Sequence, residues 1–209
     1  MNGPILCIFA RAPVRGRVKS RLAAEIGDDA ALAAHVELVE HALARLARIE
    51  GLTSELWLDD ADDPGARRWA NGWSLPVRRQ VGADLGERMH HALDACLTAG
   101  RTGVLVGTDC PTIDATYVRQ AAAALLDHDV VLGPAMDGGY GLVGVARPVP
   151  ELFRDIAWGS GKVLSETLRR AECAGRTVAL LREVWDVDTA KDWRLYRAGP
   201  ASWEGSGRV

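Results

Sequence analysis

The chain has 209 residues, of which 48% are hydrophobic and 25% charged, as in globular proteins rather than disordered or fibrous ones. This length fits one domain with a substantial core, and no apolar run approaches the ~20 residues that span a bilayer. The formal net charge of −3 excludes a global positive field that recruits nucleic acid or membranes. The cysteines, Cys7, Cys96, Cys110 and Cys173, form no metal-ligand pattern, so we expect reduced thiols in a cytoplasmic protein.

The elements predicted in chain order alternate between strands and helices. Strands are predicted at Pro4–Phe9, Ser54–Leu58, Pro76–Val81, Gly103–Gly107, Val130–Leu132, Tyr140–Val145 and Thr177–Leu181. Helices are predicted at Asp28–Arg48, Leu85–Leu97, Asp114–Asp127 and Val163–Ala174, with a last one from Ala190. Such alternation predicts a mostly parallel sheet covered by helices on both faces, with ligands bound in loops after the strands. We expect a single domain over residues 1–198 and a loosely ordered tail over 199–209, around Trp203.

The first chemical pattern is a basic loop that follows the first strand. Residues 11–21 hold five basic side chains and no acidic one, which leaves a charge of −8 on the rest of the −3 chain. These side chains, with backbone N–H groups freed by Gly16, suit phosphates at the mouth of the sheet. The loop has neither Walker A nor G-x-G-x-x-G spacing, and a solvated basic turn is the alternative interpretation.

The second pattern is a buried strand that delivers one carboxylate to a loop. Asp109 follows the apolar run Gly103–Gly107 and precedes Pro111. At the carboxyl edge of a sheet this carboxylate suits Mg²⁺ or Mn²⁺, which share protein oxygens with the phosphates of a substrate. The alternative is an aspartate that caps the turn before Pro111.

The third pattern is a glycine-rich turn that follows the next predicted strand. Gly138 and Gly139 let the backbone approach a ligand closely, while Asp137 supplies an acceptor and Tyr140 a hydrogen-bonding ring. A plain hairpin is the alternative, because Asp-Gly and Gly-Gly are strong turn signals. Asp137 is also the candidate general base, and Trp158 completes the candidate acceptor-binding side.

The fourth pattern is a pair of carboxylates in an extended segment. Strand alternation places Asp186 and Asp188 on the same side, where they repel each other unless a cation or a proton intervenes. A metal is therefore one interpretation. The alternative is that Asp188 or Thr189 caps the helix that begins near Ala190, and capping and coordination can coexist.

Together the four patterns resemble a family. They are similar to bacterial glycosyltransferases of the arsenosugar-biosynthesis type (DUF2064-like), in the nucleotide-diphospho-sugar transferase (GT-A-like) superfamily. The family patterns F-A-[KR]-x-P-x-x-G-x-V-K-[TS]-R-L, G-x-D-x-P, G-P-x-x-D-G-G-Y and D-x-D-T all occur here in order. The resemblance extends through Trp193 and so covers nearly the whole chain.

The resemblance implies a Rossmann-like, three-layer α/β/α sandwich whose first loop grips a nucleotide diphosphate. It implies a divalent metal cofactor, Mg²⁺ or Mn²⁺, with Asp109 as the metal-binding aspartate and Asp188 as the second ligand. The stretch Gln80–Arg88 also matches the family pattern and is expected near the base or ribose. The implied nucleotide-binding residues are Ala10, Arg11, Ala12, Pro13, Gly16, Lys19, Arg21 and Gly86.

Three functions remain open from the sequence. The leading one is a metal-dependent glycosyltransferase that moves a sugar from a nucleotide-diphosphate sugar to a small-molecule acceptor. The second is a guanylyltransferase-like nucleotidyltransferase that uses a nucleoside triphosphate, activates a phosphorylated metabolite and releases pyrophosphate. Gly107–Pro111 carries one carboxylate where many GT-A glycosyltransferases carry D-x-D. This pattern is at least as close to that of the nucleotidyltransferases, which keeps the second function open. The third is a non-catalytic nucleotide-binding protein, and the oligomeric state, base, sugar and acceptor stay open.

Overall fold

Seven β-strands within residues 3–200, the part of the chain that the computed structural model describes, form one sheet. Residues 1–2 and 201–209 lie outside the described part, and with them Trp203 and most of the predicted tail. The strands are β1 (Ile5–Ala10), β2 (Thr53–Leu58), β3 (Val77–Arg79), β4 (Gly103–Gly107), β5 (Val130–Pro134), β6 (Tyr140–Val145) and β7 (Val178–Leu180). Their order across the sheet is β3-β2-β1-β4-β6-β5-β7.

Helices occupy the connections between most of these strands. They are α1 (Ser20–Ile26), α2 (Asp28–Leu46), α3 (Pro64–Trp73), α4 (Leu85–Thr98), α5 (Ala115–Ala124), α6 (Val163–Cys173) and α7 (Ala190–Arg197), with a 3-10 turn at Pro150–Phe153. None of the helices in the described residues is long and apolar enough to cross a membrane.

The sheet is parallel except at β6, which runs antiparallel to both β4 and β5. The antiparallel strand arises because β5 and β6 are joined by the short glycine-rich turn instead of by a helical crossover. From β1 the chain steps outward to β2 and β3, and then returns to place β4 on the other side of β1. The crevice outside the carboxyl ends of β1 and β4 is therefore a topological switch point, where open α/β sheets bind ligands.

The interior strand β1 is buried along its whole length and faces a separate apolar layer on each side. Leu6 and Ile8 belong to the core cluster shared with α2, α3 and α5. Cys7 and Phe9 alternate to the other face, in the cluster that includes α4. This arrangement confirms the predicted three-layer α/β fold with its mostly parallel sheet.

The sequence prediction did not include α3, and it did not separate α1 from α2. The helix α3 begins at an N-cap whose Asp63 carboxylate accepts from the Ala66 N–H at 2.9 Å, with Pro64 in the first turn. The short helix α1 precedes α2 and is divided from it by Gly27, whose φ is 86°. The predicted strands and the other helices are present, with ends that differ by a few residues.

Candidate active site

A cleft of about 480 Å³ opens at the switch point. Its walls come from the first loop, the loop after β4, the β5–β6 turn, the start of α4, the loop before α6 and the segment before α7. Nine predicted site residues line it: Ala10, Arg11, Lys19, Asp109, Asp137, Gly139, Tyr140, Trp158 and Asp188. The other six, Ala12, Pro13, Gly16, Arg21, Gly86 and Gly138, are not among the lining residues.

Lys19 is the most enclosed charged group of the cleft. Its side chain is 4% exposed, and its Nζ lies 2.7 Å from Oδ1 of Asp109. The same ammonium donates to the carbonyl oxygen of Val187 at 2.6 Å. Lys19 adopts a left-handed backbone conformation, with φ of 49°, immediately before α1. It therefore ties the first loop, the loop after β4 and the segment before α7 to one another.

Two residues that the sequence reasoning missed fix the beginning of the first loop. The Ala12 N–H donates to Asp59 Oδ1 at 2.7 Å, and the Arg11 Nε lies 3.5 Å from Asp59 Oδ2. On the other side, Nε2–H of His35 donates to the Arg11 carbonyl at 3.0 Å. Burial lowers the pKa of His35, which favours the neutral ring. Asp59 directly follows β2, which pairs in parallel with β1. Because the two strands end at the same edge of the sheet, this position in the sequence could have predicted that Asp59 lies near the first loop.

The outer part of the basic loop points away from the cleft. Arg15 Nε is paired with Asp29 at 2.6 Å, and Gly16 forms an exposed turn with φ of 74°. Pro13 lies against Gly65 of α3. Only part of the basic loop therefore reaches the cleft, and its tip is a solvated turn.

Four carboxylates line the cleft, and Asp186 is half-buried among them. Desolvation by burial, together with the negative charges of Asp137, Asp188 and Asp109, raises the pKa of Asp186 to about 6. Asp188 instead has a cationic partner, because its Oδ2 lies 2.6 Å from Nη1 of Arg21. The sequence pattern included Asp186 as a paired carboxylate, but the predicted metal ligands were Asp109 and Asp188.

The chemistry of these oxygen donors fits a hard divalent cation. Within residues 3–200, no three His, Cys, Asp or Glu side chains lie close enough to hold a metal ion by themselves. Mg²⁺ commonly binds one or two carboxylates and completes its coordination with water and substrate phosphates. The arrangement suits a cation that arrives with a nucleotide.

The cap of α7 is Thr189, and the Asp188 carboxylate takes no part in it. The Thr189 side chain accepts from the Asp192 N–H at 3.3 Å, and Asp192 Oδ2 accepts from the Thr189 N–H at 2.9 Å. This capping box satisfies the first turn of the helix. The capping interpretation of the fourth pattern is confirmed for Thr189, and coordination of a metal by Asp188 stays a prediction.

The glycine-rich turn places Asp137 in the lining of the cleft, close enough to Asp186 for its negative charge to raise the pKa of that carboxyl group. Asp137 Oδ1 accepts from the Gly139 N–H at 2.8 Å, and Gly138 has φ of 85°. A Cβ on Gly138 would stand 2.3 Å from the carbonyl oxygen of Gly161, so only glycine permits this contact. The turn is thus both a hairpin connection and a wall of the cleft.

An apolar wall completes the cleft beyond the carboxylates. The rings of Tyr140 and Trp158 meet edge to face with centroids 6.4 Å apart, and Leu85 and Met89 of α4 lie in the same lining. The Tyr140 hydroxyl is buried next to that of Thr167, without a well-formed hydrogen bond, and burial raises its pKa. Tyr140 therefore offers the cleft its ring, whereas the sequence pattern suggested a hydrogen-bonding group.

Two members of the stretch 80–88 have different positions. Gln80 lines the cleft, where its Nε2 donates to the carbonyls of Ala10 at 3.2 Å and Trp57 at 2.9 Å. Gly86 lies behind the wall, since a Cβ there would stand 2.7 Å from Nε1 of Trp158 and 2.4 Å from the Phe153 carbonyl oxygen. Gly86 shapes the cleft by allowing this close packing.

Comparison with known proteins gives one family match and several structural matches. The family model described as "Uncharacterized protein conserved in bacteria (DUF2064)" matches residues 42–160, more than half of the chain. A crystal structure of a proposed nucleotide-diphospho-sugar transferase from Desulfovibrio desulfuricans G20 is 30% identical, with a TM-score of 0.86 over 100% of this chain and 93% of that one. The comparison with curated proteins gives no match.

Two more distant structures share the fold. A 4-diphosphocytidyl-2C-methyl-D-erythritol synthase from Anaerococcus prevotii DSM 20548 is 11% identical, with a TM-score of 0.64 over 94% of this chain and 96% of that one. CMP:2-keto-3-deoxy-manno-octonic acid synthetase complexed with CTP is 13% identical, with a TM-score of 0.61 over 94% and 97%. At these identities the likeness concerns the fold alone.

Proposed function

The chain belongs to the DUF2064 family, and we propose that it is a metal-dependent glycosyltransferase acting on a nucleotide-diphosphate sugar and a small-molecule acceptor. The observation that carries this proposal is the cleft at the switch point, in which a basic loop, four carboxylates and an apolar wall meet. The description of the 30% identical Desulfovibrio desulfuricans structure as a proposed nucleotide-diphospho-sugar transferase supports the same class.

The donor side of the reaction belongs to the first loop. Arg11 is 63% exposed at the mouth of the cleft, where its Nε lies 3.5 Å from Asp59 Oδ2 and its remaining N–H groups would bind a diphosphate. Asp109 and Asp188, with Asp186 beside them, are the residues that would hold the divalent cation. When bound, that cation would supply a Lewis acid that offsets charge on the departing nucleoside diphosphate.

The acceptor side belongs to the β5–β6 turn and the apolar wall. An acceptor hydroxyl oxygen forms the new bond to the anomeric carbon, and the bond from that carbon to the diphosphate oxygen breaks with its electron pair. Asp137, exposed at this side, is the carboxylate placed to take the proton of the hydroxyl. Trp158 and Tyr140 hold a ring against the wall while this exchange takes place.

A second candidate function is nucleotidyl transfer, and one observation favours it. The loop after β4 presents one cleft carboxylate, Asp109, to a phosphate chain. The same basic loop and carboxylates would then stabilise a pyrophosphate leaving group as an acceptor phosphate attacks the α-phosphorus. The two functions differ in their products, nucleoside diphosphate in the first and pyrophosphate in the second.

The test is a thermal-shift panel on the full chain. Nucleoside diphosphates, nucleotide sugars and nucleoside triphosphates are each added with Mn²⁺, with Mg²⁺ or with EDTA. A ligand that binds only the native state raises the melting temperature by mass action. We expect a metal-dependent rise with one nucleotide sugar and its diphosphate, and release of nucleoside diphosphate on incubation with candidate acceptors.

Matched variants make this panel specific. Asp109→Asn is expected to lose the metal-dependent rise, each shift being taken against the same variant without ligand. Asp127→Asn, an exposed aspartate after α5, is the control and should keep the rise. A preference for a triphosphate with release of pyrophosphate would favour the second function. No rise with any nucleotide would refute both, and binding without turnover would indicate a non-catalytic protein.

A further inference from the structure

We infer that the acceptor of this cleft is an uncharged hydroxyl compound with an apolar or planar face, and that phosphorylated acceptors are excluded. The inference rests on the proposed glycosyl transfer and names the substrate class for its second half. It follows from the distribution of charge and apolar surface around the cleft. Three observations support it: the charge balance, the engagement of the cations, and the composition of the far wall.

The charge balance of the lining is negative. Four carboxylates, Asp109, Asp137, Asp186 and Asp188, face Arg11 and Lys19 in the lining, and Arg21 outside it pairs with Asp188 at 2.6 Å, which leaves a formal charge of −1. One divalent cation would change this charge to +1, and a nucleotide-sugar diphosphate would then bring it to about −1. A phosphorylated acceptor would add further negative charge to a cleft that is already anionic.

Neither cation of the lining is placed to receive an acceptor phosphate. Lys19 Nζ is engaged by Asp109 at 2.7 Å and by the Val187 carbonyl at 2.6 Å, and its side chain is 4% exposed. Arg11 belongs to the first loop, on the donor side, and lies near Asp59. Many phosphate sites in proteins are built from Arg and Lys forks. Besides Arg11 and Lys19, the described residues that line the cleft include no Lys or Arg.

The far wall is suited to a different ligand. It consists of apolar side chains and two aromatic rings, and the Asp137 carboxylate lies in the same cleft lining. The wall residues are Leu85, Met89, Tyr140, Trp158 and Val163. Apolar surfaces with one polar group at their edge bind rings by burial and orient a hydroxyl by a hydrogen bond. A neutral acceptor would place its hydroxyl at Asp137 and its apolar face on this wall.

The experiment compares two probes on the full chain loaded with Mn²⁺ and with the nucleotide that the melting panel identifies. Phenyl β-D-glucopyranoside is the uncharged probe, and its 6-phosphate is the charged counterpart. Dissociation constants are measured by ligand-observed NMR. We expect the neutral glycoside to bind at least about tenfold more tightly than its phosphate, because the added charge meets like charges at short range.

Two leucine-to-lysine variants provide the matched comparison. Leu85→Lys adds a cation to the wall, where Leu85 is 47% exposed, and should shift the preference toward the phosphate by about tenfold. Leu126→Lys adds the same charge beyond α5, where Leu126 is 85% exposed, and should leave the preference unchanged. The nucleotide-dependent melting shift is measured in both variants, and the two probes are compared at a nucleotide concentration that saturates each variant.

Each remaining outcome counts against the inference. Equal or tighter binding of the phosphate to the wild type would overturn it, as would binding of neither probe to nucleotide-loaded protein. An unchanged preference in Leu85→Lys would show that charge at the wall does not select the acceptor. In all these cases the nucleotide-dependent melting shift would remain, whereas failure of the proposed function would abolish that shift first.

Discussion

Lys19 and Asp109 form an ion pair whose two partners are unequally exposed, at 4% and 49% of their side chains. Removal of the lysine leaves a carboxylate that water can solvate, whereas neutralisation of the aspartate leaves a buried ammonium without a counter-charge. We expect Asp109→Asn to cost about 2–3 kcal/mol of the free energy of unfolding and Lys19→Met about 1–2 kcal/mol. The double variant should be more stable than Asp109→Asn alone. Urea unfolding measures all three.

The control for this pair is an exposed one. Asp62 and Arg67 are paired at 2.6 Å, with 67% and 60% of their side chains exposed, so Asp62→Asn should leave the urea midpoint nearly unchanged. If Lys19→Met destabilised the protein more than Asp109→Asn, the ammonium would be important mainly for its hydrogen bond to Val187. The ion-pair argument would then be wrong.

His35 gives a prediction for pH. Burial lowers its pKa from the ordinary 6.5, so between the two values the unfolded chain binds a proton that the native protein does not. Stability should therefore fall as the pH drops below 6.5 and level off beneath the native pKa. Urea midpoints between about pH 7.5 and pH 5 should fall less in His35→Gln than in the wild type. His41 is shifted in the same direction by burial, so part of the slope should remain. An unchanged slope would remove His35 as its source.

At the scale of elements, the sequence predicted what local patterns determine. The apolar run 103–107 followed by Asp109 placed a carboxylate at the sheet edge, as the structure shows. Strand alternation put Asp186 and Asp188 on one side, but the ion pair of Asp188 with Arg21 involves residues distant in sequence and left no local signal. The antiparallel direction of β6 also depends on tertiary pairing. The helix α3 was recognisable from Asp63 and the proline after it, a cap signature that the periodicity did not reveal.

Two helical glycines test how the elements pack around the cleft. A Cβ added to Gly72 in α3 would have no neighbour within 4 Å, so Gly72→Ala should stabilise the protein by about 0.5–1 kcal/mol. A Cβ added to Gly86 in α4 would stand under 3 Å from Trp158 and from the Phe153 carbonyl oxygen. Gly86→Ala should therefore lower the free energy of unfolding by about 1–3 kcal/mol and displace the apolar wall. Chemical denaturation of both variants measures the contrast. Similar effects from the two substitutions would mean that α4 moves to accommodate the methyl group.

For the whole molecule, the carboxylates of the cleft have opposite effects on stability and on ligand binding: their mutual repulsion destabilises the free protein, whereas a bound cation would need them. Asp186 has a pKa raised to about 6 by burial and by neighbouring carboxylates, against an ordinary 3.8. The native state therefore binds the Asp186 proton more tightly than the unfolded chain, and this contribution to stability is lost as the pH rises from 3.8 through about 6. Above that range the charged cluster destabilises the metal-free fold.

Asp186→Asn removes one charge from this cluster and keeps nearly the same shape. In EDTA at a pH above 7, we expect the free energy of unfolding to rise by about 1–2 kcal/mol, after allowance for the water that still reaches the group. The stabilisation by nucleotide with Mn²⁺ should fall in the same variant, because a cation loses a nearby carboxylate. Asp94→Asn, on the exposed side of α4, should change neither quantity. If Asp186→Asn were destabilised in EDTA, the Asp186 carboxylate would stabilise the fold, and the argument from charge repulsion would be wrong. If the variant is more stable but loses its response to nucleotide with Mn²⁺, the carboxylate lowers the stability of the free protein and contributes to ligand binding.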